Sequence, residues 1–380
     1  MNYYLYIIYM SLIIVSILSV IDIHKIKSRK IFSLNTKENP INPLVSIIIP
    51  ARNEEKIITK CIGNISKSSY NNYEIIIISD GSTDNTYEVI EELSKKDQRI
   101  RPFRQESGGK NAALNKGLKL SKGEIIIFVD ADTLVEKDWL EHLIEPIING
   151  RALATSGNPH PFIRNWVTYY HCLFSQFRIL RGSKSLFGGA TIALKKELIE
   201  KIGGIDEISY GVDDIVLSNR IKELKYTIEC VKNAKVKTDL SSTFSDFLKI
   251  ETRFIRSLFK YHINKEPILK QILDPKNFIK NYYTFINSIF FIVGFFLFLL
   301  PNINILIGFK ILYLFIFTFA FLRQFSIPFI LFLTTKNTYW LKYLYVSVFF
   351  LLMSYFYSTY GMFTYNRSSK FFLGPRKLHC

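Results

Sequence analysis

Cysteine, histidine and acid are thinly spread in this 380-residue chain, and each scarcity removes a class of function. The four cysteines, Cys61, Cys172, Cys230 and Cys380, form no C-x-x-C pair, so neither a zinc ribbon nor a disulfide framework is expected. The six histidines show no metal-ligand spacing; His24 and His379 sit in basic flanks and His171 lies in a helix-like run. Asp and Glu number 32 against 49 Lys and Arg, which leaves a net charge of +17. Much of that excess flanks apolar stretches, a placement that follows the positive-inside rule and argues against a nucleic-acid partner.

What the chain has in quantity is apolar surface, 48% hydrophobic residues with 32 Phe, unevenly distributed. Residues 1–21 carry no charged side chain and are long enough to cross a bilayer. Lys25, Lys27, Arg29 and Lys30 follow that run instead of preceding it, the order of an uncleaved anchor and not of a signal peptide. With the N-terminus outside, the domain that follows is expected in the cytoplasm. Residues 281–300, 303–322 and 343–366 are three further apolar stretches, with Lys310 alone inside the second and placed to snorkel. The tail holds Arg367, Lys370, Arg376 and Lys377 with no acid and is expected to be cytoplasmic too. Three crossings would put it outside, so Gln324–Thr335, interrupted by Pro328, is expected to cross or re-enter. The expected organisation is an anchor over 1–22, a basic cytoplasmic linker over 23–43 and an α/β domain over 44–240. An amphipathic interfacial region over 241–280, three or four spans over 281–366 and a basic tail over 367–380 complete it. The chain is thus expected in the cell membrane, in contact with membrane lipids.

Strand and helix patterns alternate between the apolar ends. Val45–Ile49 reads as a buried strand, and Ile57, Ile58, Cys61, Ile62 and Ile65 mark the face of a following helix. Glu74–Ile78 is a second strand, Ile100–Arg104 a weaker one, and Lys110–Leu120 a helix. Ile125–Val129 is an uninterrupted apolar run that ends in Asp130 and Asp132. Such runs suit parallel strands buried on both faces, and strands alternating with single helices predict right-handed crossovers. In an open α/β sheet the ligand edge is the carboxyl end of the strands, so two acids there point to a hard divalent cation with a phosphate-bearing substrate. Further on, Asn165–Leu180 carries an apolar helical stripe that suits core packing, with a helix lying on the membrane as the alternative. Phe244–Lys260 places Lys249, Arg253, Arg256 and Lys260 on one basic face, as in a helix lying at a lipid surface.

Six polar segments occur in order: PARNEE at Pro50–Glu55, SDGSTDNT at Ser79–Thr86, GGKNAALNKGL at Gly108–Leu118, DAD at Asp130–Asp132, GGATIAL at Gly188–Leu194 and GVDDIVLSNRI at Gly211–Ile221. Their order and spacing resemble family 2 glycosyltransferases, the membrane-embedded inverting kind, over roughly residues 43–260. The resemblance implies a GT-A catalytic domain, Rossmann-like with a mostly parallel sheet, flanked by transmembrane helices. It implies a UDP- or GDP-sugar donor, Mg²⁺ or Mn²⁺, and a lipid-linked or growing-glycan acceptor.

The roles carried over are specific. Asp132 is the expected metal ligand, with Asp130 set against the ribose or the metal's waters. Asp80 is expected to bind the nucleotide, with Asn53 and Glu54 shaping that pocket, although an acid at a turn or a Glu near a helix start is explained equally by local structure. Lys110 supplies charge beside a glycine-opened helix N-terminus, a natural anion site. Asp214 is expected to be the general base, which must be ionised to accept the hydroxyl proton. Asp213 stands where the family has Glu. Arg256 corresponds to the arginine of the Q-x-x-R-W motif of processive members and is expected to clamp the diphosphate or anchor to lipid. Ser257 replaces that motif's Trp, which argues against a processive polysaccharide synthase. Two other readings are a nucleotidylyltransferase, disfavoured because PARNEE lacks glycine, and a non-catalytic nucleotide-binding scaffold or transporter.

Overall fold

The computed structural model describes residues 2–28, 42–183, 185–186, 190–206, 213–265, 275–299 and 304–364. Most of the linker, Gly188, Gly189, Gly211 and the basic tail lie outside the described residues. The chain forms two units: one from Ile31–Ile163 and Arg178–Leu240, the other from Met1–Lys30, Arg164–Phe177 and Ser241–Lys370.

After the N-terminal helix α1 (Asn2–Ser28) the chain enters the first unit, an eight-stranded sheet. Its strands are β1 (Val45–Ala51), β2 (Tyr73–Asp80), β3 (Ile100–Gln105), β4 (Ile125–Val129), β5 (Leu134–Val135), β6 (Ala154–Pro161), β7 (Thr191–Lys195) and β8 (Ile228–Thr238), in spatial order 3-2-1-4-7-6-8-5. β1 pairs in parallel with β2 and β4, and β2 with β3, as the strand–helix alternation predicts. The sheet is nevertheless mixed. β7 runs antiparallel to both β4 and β6, and β5 antiparallel to β8. Because β7 is reversed, its amino end lies beside the carboxyl end of β4, and the Asp130 amide donates to the Ala190 carbonyl at 3.2 Å.

Helices cover both faces, which is why the central strands lack alternation. Ile47, Ile49, Ile75, Ile77 and Ile127 pack with α2 (Ile58–Ile65) and α5 (Trp139–Ile148), with α3 (Thr86–Lys96) adding Ile90. Ile48, Ile76, Ile126 and Phe128 turn the other way, onto α4 (Lys110–Leu120), α7 (Lys196–Lys201) and α8 (Asp213–Glu223). α4 sits close to the sheet because Gly117 faces Ile48; a Cβ there would lie 2.4 Å from Ile48 Cγ2.

The second unit is helical. It comprises α1, the first part of α6 (Trp166–Arg181), α9 (Phe244–Lys265), α10 (Pro275–Leu299), α11 (Asn304–Thr335), α12 (Tyr339–Lys342) and α13 (Leu344–Phe363). Leu5–Ser28, Ile307–Thr335 and Leu344–Phe363 are long and apolar enough to span a membrane, and Ile286–Leu299 is a shorter apolar helix. Three features differ from the sequence reading. α11 continues through Pro328 as one helix, so Gln324–Thr335 is its second half. Lys310 is buried, with its ammonium 5.9 Å from the Phe298 ring centroid, a cation–π contact in place of snorkelling. Asp22, inside α1 and 2% exposed, forms an ion pair with Arg323 of α11, and the guanidinium also lies 5.5 Å from the Phe177 ring centroid.

The amphipathic pattern of α9 does form a helix, and much of its apolar side is covered by protein. Phe247 and Ile255 are buried, and Gly361 of α13 makes room for Ile255. Arg256 donates from Nε to Thr364 Oγ1 at 2.8 Å and lies 5.5 Å from the Tyr360 ring centroid.

Candidate active site

The carboxyl edge of β1, β2 and β4 gathers the polar loops. Pro50–Glu55 leaves β1, and Asn53 takes a left-handed backbone conformation (φ 55°), which Asn tolerates better than most residues. Its Oδ1 accepts from the Thr83 amide at 2.8 Å and from Thr83 Oγ1 at 3.3 Å. The Glu54 amide donates to Thr86 Oγ1 at 2.8 Å, and Glu55 Oε2 accepts from the Asn85 amide at 3.1 Å. These bonds join the loops after β1 and β2 into one ledge, so Asn53 shapes that ledge through its side chain.

Asp80, the last residue of β2, is 3% exposed. Its Oδ1 accepts from Gln105 Nε2 at 2.8 Å and the Gly108 amide at 2.7 Å, and its Oδ2 from the Gly109 amide at 2.9 Å. The anion that those two glycine amides hold is Asp80 itself. The carboxylate thereby fixes the entry to α4. Gly109 has φ +90° and no heavy atom within 4 Å of a built Cβ, so the backbone is bare where a ligand would approach.

One residue on, Lys110 Nζ lies 2.5 Å from Asp130 Oδ1. The Asp130–Thr133 turn is closed by the Thr133 amide donating to the Asp130 carbonyl at 3.0 Å. Cys61 of α2 packs behind it, its Sγ 3.8 Å from the Asp130 carbonyl oxygen. Burial pushes the Cys61 thiol well up, and the charges of Asp132 and Asp130 add to the effect, so it stays a neutral thiol. Asp132 is half-buried on the same turn.

The turn's donor set fits a divalent cation that takes most of its ligands elsewhere. Asp130 and Asp132 stand on one turn, and among the described residues no group of three His, Cys, Asp or Glu converges as a closed metal cage. Mg²⁺-type ions are commonly held by one or two carboxylates plus substrate phosphates and water.

Asp213 and Asp214 open α8, and Asp214 Oδ1 accepts from the Ile215 amide at 2.9 Å. α8 packs through Leu217 and Ile221 onto the same side of the sheet as α4. Arg256 belongs to the helical unit. Sequence reasoning missed two residues of α4, Asn111 and Asn115. Asn111 Nδ2 donates to the Asp206 carbonyl at 2.6 Å, and Asn115 Nδ2 to the Ile205 carbonyl at 2.8 Å. Their partners stand some ninety residues away, and no local pattern announces them.

A mostly parallel sheet with a D-x-D turn at its carboxyl edge, a lysine paired to that turn and an acidic pair opening a helix on the same side defines the nucleotide-sugar transferase architecture of the GT-A type. Residues 46–203 match the description "Glycosyl transferase family 2" and residues 125–365 match "Glycosyl transferase family group 2". The chain belongs to the family 2 glycosyltransferases.

Among curated relatives, glycosyltransferase GlyA of Streptococcus pneumoniae is 35% identical over 35% of this chain and 19% of its own. Beta-monoglucosyldiacylglycerol synthase of Nostoc sp. is 32% identical over 50% of this chain and 43% of its own. Poly-beta-1,6-N-acetyl-D-glucosamine synthase of Staphylococcus aureus is 29% identical over 52% and 51%. The chain thus spans about half, or less, of the length of these relatives. In fold it resembles the mannosyltransferase PcManGT from Pyrobaculum calidifontis, solved in complex with GDP-Man and Mn²⁺. That likeness has a TM-score of 0.55 at 16% identity and covers 96% of this chain and 95% of the other.

Proposed function

We propose that this protein transfers a sugar from a UDP- or GDP-sugar to an acceptor hydroxyl, with inversion, at the cytoplasmic face of a membrane. The observation that carries the reading is the Lys110–Asp130 pair, which sets a cationic helix N-terminus against the D-x-D turn. A diphosphate at that place meets the Lys110 ammonium, the two glycine amides before α4 being already taken up by Asp80. Asp132, with Asp130 beside it, is the residue to hold Mg²⁺ or Mn²⁺. When bound, the ion supplies Lewis-acid neutralisation of the leaving diphosphate; a neighbour in fold was solved with Mn²⁺. Asp214 is the general base. Its carboxylate takes the acceptor's hydroxyl proton as the oxygen attacks the anomeric carbon in line, and the bond to the diphosphate breaks on the opposite side. Asn53 and Glu54 shape the nucleotide ledge and Asp80 holds the glycine turn below it. Arg256 is assigned to the diphosphate or to lipid phosphate.

A lipid-linked acceptor suits a domain joined to membrane helices, and the diacylglycerol-modifying relative supports it. The polysaccharide-synthase relative supports a second reading, processive polymerisation; Ser257 in place of an aromatic platform weighs against it. Detergent-purified protein, incubated with membrane lipids, Mn²⁺ or Mg²⁺ and a panel of radiolabelled UDP- and GDP-sugars, tests both. Label in a lipid of single-sugar mobility is the expected result, and a ladder of polymer selects the second reading. Asp132→Ala and Asp214→Asn must lose turnover while remaining folded; full activity in either removes the assignment.

A further inference from the structure

Helix α4 carries more than the donor side. Asn115 holds the backbone of Ile205 at both ends of its amide: Nδ2 donates to the Ile205 carbonyl at 2.8 Å, and Oδ1 accepts from the Ile205 amide at 3.1 Å. One turn earlier, Asn111, 8% exposed, donates to the Asp206 carbonyl at 2.6 Å. The held dipeptide follows Gly203 and Gly204, whose φ values of +78° and +82° turn the chain out of α7 toward α4. From the other side, Arg220 of α8 binds the Asp206 carboxylate at 2.8 Å and reaches the Ile202 carbonyl at 3.4 Å. Ile205–Asp206 is therefore gripped by α4 through its backbone and by α8 through its carboxylate.

The same two helices carry the two halves of the proposed chemistry. Lys110 stands immediately before Asn111 and pairs with Asp130; Asp214 stands on α8, less than two turns before Arg220. We infer that Asn111, Asn115 and Arg220 are positioning residues that hold the acceptor-side base helix in register with the donor-side helix. This inference rests on the transferase reading. A reacting geometry displaced by about 1 Å costs on the order of 100-fold in rate. Losing the grip should therefore show in acceptor transfer. Donor binding, seated on Lys110 and the D-x-D turn, does not depend on it.

The test separates the two fates of the donor, transfer to the acceptor and hydrolysis by water, using the UDP- or GDP-sugar that wild-type protein turns over. Asn115→Ala is expected to lower transfer at least 10-fold with donor KM within about 2-fold, so that hydrolysis rises as a share of turnover. Asn115→Asp keeps the acceptor for the Ile205 amide but sets a carboxylate oxygen against the Ile205 carbonyl, so it is expected to lower transfer at least as much. It also serves if the alanine variant does not fold. Arg220→Met should reproduce the shift, and its effect combined with Asn115→Ala should be less than the product of the two. Transfer and hydrolysis falling together in proportion, or an unchanged split in both Asn115 variants, overturns the positioning role and leaves the transferase reading intact. Wild-type protein that turns over no donor overturns both.

Discussion

Lys110 Nζ lies 2.5 Å from Asp130 Oδ1, so one carboxylate of the D-x-D turn already has a cation beside it. Both side chains are partly exposed, and an exposed pair of this kind is worth less than about 1 kcal/mol to folding. In the proposed site its value would be poise: a diphosphate drawing Lys110 toward itself would leave Asp130 with charge to share with an incoming cation. Lys110→Met is therefore expected to leave thermal stability nearly unchanged while raising donor KM by roughly 10- to 100-fold, since a charge-assisted contact to phosphate is worth about 1.5–3 kcal/mol. Donor titrations and melting curves on the same preparation check this; an unchanged KM refutes it.

Asp80 is expected to behave in the opposite manner. It accepts from Gln105, Gly108 and Gly109, and removing it takes away the one buried carboxylate that holds these three donors together. Asp80→Ala should destabilise the α/β unit by about 2–4 kcal/mol, and Asp80→Asn by a similar amount, because an amide nitrogen would face N–H groups. Denaturation of both variants decides the matter. Stability equal to wild type, with only nucleotide binding lost, would show that Asp80 serves the ligand and not the turn.

Chelation tests the D-x-D turn from the side of the metal. EDTA should abolish sugar transfer, and Mn²⁺ or Mg²⁺ should restore it in wild type and not in Asp132→Ala. Turnover that persists at full rate in EDTA after dialysis refutes the assignment.

A pH effect is expected in the helical unit. Burial raises the Glu251 carboxyl to about 7 despite a hydrogen bond from Tyr357, and burial lowers His171 of the facing helix to about 4. His171 Nδ1 is 3.9 Å from Glu251 Oε1, and Tyr170 completes the surroundings from α6. A raised acid contributes full stability below its unfolded value near 4.5 and loses it as pH climbs to about 7. A lowered histidine contributes full stability above 6.5 and loses it as pH falls toward 4. Glu251→Gln should therefore melt higher than wild type at pH 8 and about equally at pH 4.5, and His171→Gln should gain only at acid pH. Melting curves in detergent at the two pH values check the crossover; a pH-independent offset in both variants refutes it.

The parts of this fold that could be read from sequence are those with a local cause. Ile47–Ile49, Ile75–Ile78 and Ile125–Val129 are buried on both faces, so their apolar runs are unbroken and their strands visible. The D-x-D turn and the glycines before α4 announce themselves by position. β6 and β8 did not, for a physical reason. β6 reads ATSGNPHP, with glycine and proline and no apolar run, and becomes a strand because β7 and β8 flank it. Its Gly157 packs where a Cβ would lie 2.2 Å from Thr191 Oγ1, a requirement set by a residue on another strand. The reversal of β7 that makes the sheet mixed comes from the same long-range pairing. Asn111 and Asn115 look like ordinary helix-surface residues until Ile205 and Asp206 are placed beside them.

Asp22 and Arg323 stand 301 residues apart in the chain and form one ion pair. Synthesis runs from the amino end, so Asp22 of α1 is made long before Arg323 of α11. Until Arg323 stands beside it, burying that acid in apolar surroundings is costly. α1 is thus tied to α11 by a contact that only the finished α11 can supply.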